Sequence, residues 1–150
     1  MTRWGALAAA LFVTALLAGC GGGGGSDGGD VTAGDVSKDE YIGQANKICR
    51  ESDDEFQKAT EDLPDNPSQD EIVATIDDSI VPILRDTLDQ LRALEAPQAD
   101  VDQLTGIYDG LEGEIDAVDE DPEKFAGQSA NPFEESSAAF TDYGMDDCGS

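Results

Sequence analysis

The chain has 150 residues, with 34 Asp and Glu against 8 Lys and Arg, no His, and a formal charge of −26. Without histidine it has no His-centred triad, no HExxH zinc motif and no imidazole acid–base pair. So few bases leave no electrostatic footprint for nucleic acid. Hydrophobic residues make up 39% of the chain, enough for the core of one compact domain.

The first 20 residues read as an address. Arg3 gives a cationic start, Trp4 to Leu17 form an apolar run, and Leu17-Ala18-Gly19-Cys20 closes it. The run is shorter than the roughly 20 residues a helix needs to cross about 30 Å of hydrocarbon, and it fits the centre of a secretory signal. The closing tetrapeptide resembles the lipobox of bacterial lipoproteins. That resemblance implies a signal peptide over residues 1–19, cleavage between Gly19 and Cys20, and a diacylglycerol on Cys20. A plain signal peptide and an uncut anchor are the alternatives. At about 0.8 kcal/mol per buried methylene, two acyl chains would hold the mature chain on the extracytoplasmic face of the cell membrane. Residues 20–36 hold Gly21 to Gly25 and a further Gly, Ser and Asp cluster without helical or strand period. They read as a flexible tether, and about 16 residues of such coil reach roughly 20–24 Å. A phosphate-cradling glycine loop would need a following Lys-Ser/Thr, and none is there.

Residues 37–150 read as a helical domain. Ser37-Lys38-Asp39-Glu40 is a capping box. Behind it Tyr41, Ala45, Ile48, Cys49, Ser52, Phe56, Ala59 and Leu63 recur at helical steps. Pro64 and Pro67 end that element. Ser68-Gln69-Asp70-Glu71 repeats the box before Val73, Ile76, Ile80, Ile83, Leu84, Leu88, Leu91 and Leu94. Pro82 lies inside this series and predicts a kink, with a backbone bond lost near Asp78 and its ring toward solvent. A third stripe has Val101, Leu104, Tyr108, Leu111, Ile115 and Val118. Asp121-Pro122 and Asn131-Pro132 are N-cap and first-turn signals. They predict a short helix and then one holding Phe133, Ser137, Phe140 and Tyr143, stopped by Gly144 with Met145 after it. Short loops between amphipathic helices favour a small antiparallel bundle of about four helices, an all-α fold.

With Cys20 set aside, Cys49 and Cys148 remain. In an exported protein an even remainder reads as one disulfide, here closing a loop of about 100 residues. The rival is a metal or redox pair, but zinc would need more ligands and there is no Cys-x-x-Cys.

These parts resemble a group of small actinobacterial lipoproteins and secreted proteins. The likeness lies in the lipobox and Gly-rich tether, in Tyr41-Ile42-Gly43-Gln44-Ala45-Asn46-Lys47-Ile48-Cys49, and in Tyr143-Gly144-Met145-Asp146-Asp147-Cys148-Gly149. Only these short stretches are specific. The resemblance implies an all-helical domain with one Cys near each end, and no reaction or catalytic residue.

Two surfaces of the third helix are candidate sites. Residues 100–120 hold eight acids and no base. Asp102, Asp109, Glu112 and Asp116 share one flank, able to gather a divalent cation or a basic protein partner. A solvated face, or adaptation to salt, is the plainer reading, since no Asp-x-Asp-x-Asp-Gly loop is present. Gly106, Gly110, Gly113 and Ala117 line the side opposite the apolar stripe. This is either a docking face for another backbone or neutral drift in propensity. Carboxylates are too many for any pair to mark a hydrolase, and Ser136 and Ser137 have no evident base. The expected function is therefore a lipid-anchored, non-catalytic binding or envelope-associated module without a cofactor. A divalent-cation-responsive domain is the alternative and a hydrolase the remotest.

Overall fold

Two Ser-x-x-Glu boxes start helices by the mechanism their spacing predicts. The Ser37 hydroxyl accepts the Glu40 N–H at 3.3 Å, and the Glu40 carboxylate accepts the Ser37 N–H at 3.2 Å. Helix α1 then runs Lys38–Glu61. Ser68 and Glu71 exchange the same bonds, at 3.3 and 2.7 Å, to open α2, Gln69–Thr75. Each box satisfies two N–H groups that a helix start otherwise leaves bare. The Ser37 hydroxyl and N–H hold the Glu40 carboxyl below its ordinary range, and the Ser68 N–H and hydroxyl do the same to Glu71. Both boxes therefore persist as pH falls past ordinary carboxylate values and are lost as it drops through these lowered ones.

The computed structural model describes residues 30–61, 63–127 and 130–150. The expected signal peptide (1–19), the expected lipidation site Cys20 and the glycine run lie outside the described residues. After α2 come α3 (Val81–Arg92), α4 (Val101–Glu120), α5 (Pro122–Ala126), α6 (Glu134–Tyr143) and a 3₁₀ turn at Asp146–Cys148. The class is all-α with one disulfide, Cys49–Cys148, whose Cα atoms are 5.1 Å apart across 99 residues of sequence.

Residues 31–34, placed within the expected tether of residues 20–36, pack onto the helical domain instead. Val31 is buried in the core, and Ala33–Gly34 (β1) pairs in parallel with Ala96–Pro97 (β2). The Ala96 N–H donates to the Thr32 carbonyl at 2.8 Å. A pairing two residues long leaves no alternation to read in the sequence. Gly34 permits the approach, since a Cβ there would lie 2.5 Å from that of Glu95.

Pro82 has no N–H to return to the Asp78 carbonyl, and its ring crowds that turn. The chain responds with a π-helical segment, Ile76–Ile80, placed directly between α2 and α3. Pro82 then sits exposed in the first turn of α3. The wider turn advances the register by one position. Val81, outside the predicted stripe, is consequently buried, while Ile80 is only half-buried.

The core gathers on α4, whose Leu104, Ile107, Tyr108, Leu111, Ile115 and Val118 all face inward. Tyr41 and Ala45 of α1, Leu88 and Leu91 of α3, and Phe140 and Tyr143 of α6 close around them. The Tyr41 and Tyr108 hydroxyls bond to each other, and the Tyr143 hydroxyl donates to Asp100 Oδ2 at 2.8 Å. The Tyr41 and Tyr143 rings meet edge to face at 6.2 Å.

Helix α6 starts two residues later than Asn131-Pro132 predicts. Asn131 Oδ1 accepts the Phe133 N–H at 3.0 Å, an Asx turn that precedes the helix rather than capping it. The helix stops where expected. Gly144 has φ +108°, its N–H donates to the Thr141 carbonyl at 3.0 Å, and the Met145 N–H donates to the Phe140 carbonyl at 2.9 Å. This is the Schellman pattern, with Met145 fully buried as the following apolar residue. Gly144→Ala is expected to cost about 1–2 kcal/mol in chemical denaturation, because left-handed backbone opposes a Cβ. That Cβ would also lie 3.1 Å from Ile42 Cδ1. An unchanged unfolding midpoint would contradict this account.

Candidate ligand cleft

Around the disulfide, α1, α3 and α6 leave an open cleft of about 310 Å³ between them. Phe56, Leu84, Leu91, Leu111, Phe133 and Phe140 give it mostly apolar walls, and Cys49 and Cys148 form one edge. The Ser52 and Thr87 hydroxyls lie 2.8 Å apart inside it. The Thr87 hydroxyl, with one proton to give, is placed to donate either to Ser52 Oγ or to the Ile83 carbonyl, each at 2.8 Å. Ser52 was a sequence signal for this site, a hydroxyl within an apolar stripe. The rest of the cleft depends on how the helices diverge, which no single helix encodes.

Two carboxylates stand at the cleft. Asp147 is ion-paired with Arg50, and its N–H donates to Asn46 Oδ1 at 3.2 Å. Asp53, half-buried, has neither an ion pair nor a hydrogen bond among the described residues. Burial, and then the charges of Asp147 and Asp54, push its carboxyl above the ordinary range. A mostly apolar pocket with a few convergent polar groups and a perturbed carboxyl is the usual form of a ligand site.

The acidic flank of α4 has a different geometry from an open cation surface. Arg92 of α3, almost fully buried, reaches both Asp109 and Glu112 at 2.9 Å. Arg85, two turns earlier, reaches Asp116 and Asp119 at 2.9 Å. Asp109, Glu112 and Asp116 are thus spent on pairs within the chain, while Asp102 stands apart and exposed. No group of three or more Cys, Asp or Glu among the described residues is placed to hold a metal ion. These arginines lie on another helix, so the absence of bases within residues 100–120 says nothing about them.

Gly106, Gly110, Gly113 and Ala117 are all exposed, as their side of the wheel predicts. Gly106 and Gly110 edge a second groove shared with Glu135 and Ala139 of α6. A Cβ on any of the three glycines would meet nothing within 4 Å. Gly110→Ala should therefore stabilise the fold by about 1 kcal/mol, seen as a rise of a few degrees in Tm. Sedimentation of the same variant tests docking: an unchanged association state would remove any role for the stripe in self-assembly.

Ser136 does have a carboxylate partner, contrary to the sequence reading. Glu114 of α4 bonds its hydroxyl and also accepts its N–H, at 3.3 Å for the latter. Both donors belong to the first turn of α6, so Glu114 acts as a helix cap supplied from a neighbouring helix. Among the described residues no helix is long and apolar enough to cross a membrane. Comparison with family models, characterised proteins and solved structures finds no match to this chain.

Proposed function

We propose that the chain is a lipid-anchored, extracytoplasmic binding module that holds a small ligand in the cleft beside the disulfide and does not transform it. The anchor follows from the likeness of Leu17-Ala18-Gly19-Cys20 to a lipobox. The helices form a small antiparallel bundle, a reading supported by the ion pairs: Arg92 meets the earlier acids of α4 and Arg85 the later ones. The observation that carries the binding reading is the cleft itself, about 310 Å³ with mostly apolar walls.

The test uses the full chain in phosphatidylcholine nanodiscs, titrated with 2-phenylethanol as a neutral ring-sized probe. Methyl resonances of Leu84, Leu91 and Leu111 should shift with saturation, and no shift would end the binding reading. Intact mass of the membrane fraction should show a chain beginning at a diacylglyceryl Cys20, and Cys20→Ala should release the protein. An unmodified full-length chain would end the anchor reading.

One observation favours hydrolysis as a second reading, namely a carboxyl in a concave site with its pKa pushed upward, Asp53. The other carboxylate lining the cleft, Asp147, is ion-paired with Arg50. Turnover of a 4-nitrophenyl glycoside that disappears in Asp53→Asn would favour hydrolysis over binding.

A further inference from the structure

We propose that the cleft selects small organic cations: a ring-sized apolar body carrying one ammonium group, which pairs with Asp53. This rests on the cleft being a binding site and adds the chemistry of what it takes.

The volume sets the size. About 310 Å³ is at the lower end of small-molecule pockets, which span roughly 300–1,000 Å³, so a single ring and a short arm fill it. The walls set the body. Phe56, Phe133 and Phe140 line the cleft with Leu84, Leu91 and Leu111, and offer apolar area but few donors.

Charge sets the head group. Asp53 stands half-buried without a partner, and the carboxylates beside it, Asp54 and Asp147, add to the negative field. Arg50, which shares a groove with Asp53, is ion-paired with Asp147. A half-buried carboxylate without a partner has lost part of its hydration, and an ammonium arriving from water offsets that loss where a neutral group does not. The formal charge of −26 draws cations toward the surface and repels anions. A hard dication fits poorly, because calcium needs six to eight oxygens around it and most of this wall is carbon.

The experiment compares three probes of one shape on the full chain in phosphatidylcholine nanodiscs near neutral pH. These are 2-phenylethylamine, 2-phenylethanol and 3-phenylpropionate, each read on the Leu84, Leu91 and Leu111 methyls. The amine should bind about tenfold more tightly than the alcohol, and the acid most weakly of the three. Asp53→Asn should bring the amine to the level of the alcohol. Added NaCl should reduce the advantage of the amine. If the alcohol binds and the amine binds no better, cation selection is overturned while the cleft remains a binding site. If none of the three binds, both readings fall. An amine preference that survives in Asp53→Asn overturns the assignment to that carboxylate. Displacement of the amine by CaCl₂ beyond that by NaCl of equal ionic strength overturns it in favour of a divalent ion.

Discussion

Replacing Cys49 and Cys148 together by alanine is expected to lower the free energy of unfolding by about 3–5 kcal/mol. The bond closes 99 residues of sequence, and a closure of that length restricts the unfolded chain strongly. Marginal stability makes this a large share of the total. The effect is also local. The 3₁₀ turn Asp146–Cys148 lies against α1 and α6, and a Cβ on Gly149 would collide with the Ser137 carbonyl, so this segment fits closely onto α6. Asp147, Cys148 and Ser150 line the cleft, so the variant should weaken probe binding as well as stability. Guanidinium unfolding with a steeper slope and a lower midpoint would match release of the unfolded chain. A midpoint equal to that of the parent protein would show that the bond contributes nothing beyond the packing around it.

Above about pH 10 the protein is expected to lose stability steeply, and the loss should come from its tyrosines. Tyr41, Tyr108 and Tyr143 are all the tyrosines in the chain, and all three are buried. Burial is the main cause raising each phenol above its ordinary value of 10.0, and at Tyr143 the bond to Asp100 adds to it. Because the folded pKa values lie above the unfolded ones, the stabilisation is whole below pH 10. It is lost as pH rises, since the unfolded chain releases protons that the native chain keeps. Each tyrosine contributes a slope of about 1.4 kcal/mol per pH unit, so three together approach ~4 kcal/mol per unit. Tyrosinate absorbance and helical circular dichroism should therefore change together in one transition. Phenolate that appears gradually near pH 10 with the helices intact would refute the buried network.

Much of the helical framework could be read locally. A capping box needs only a Ser and a Glu three residues apart, and a Schellman stop needs only a glycine before an apolar residue. Those interactions close within one turn, so Ser37, Ser68 and Gly144 act where the sequence puts them. The 3.6-residue period likewise picked out the inward side of α1 and α4, and parity among the cysteines pointed to the Cys49–Cys148 bond.

Where two distant segments had to meet, the pattern was silent. Val31 entering the core and the brief pairing of β1 with β2 have no period to announce them. The exchange of Val81 for Ile80 follows from how one proline reshaped the turn before it. The acids of α4 looked unpartnered because Arg85 and Arg92 lie on another helix, and the cleft at Asp53 exists only because α1, α3 and α6 diverge around the disulfide. Caps, periods and stops depend on neighbours a few residues apart, which the chain specifies by itself. Ion pairs, pockets and the burial of Val31 depend on which faces meet, and packing of the whole molecule settles that.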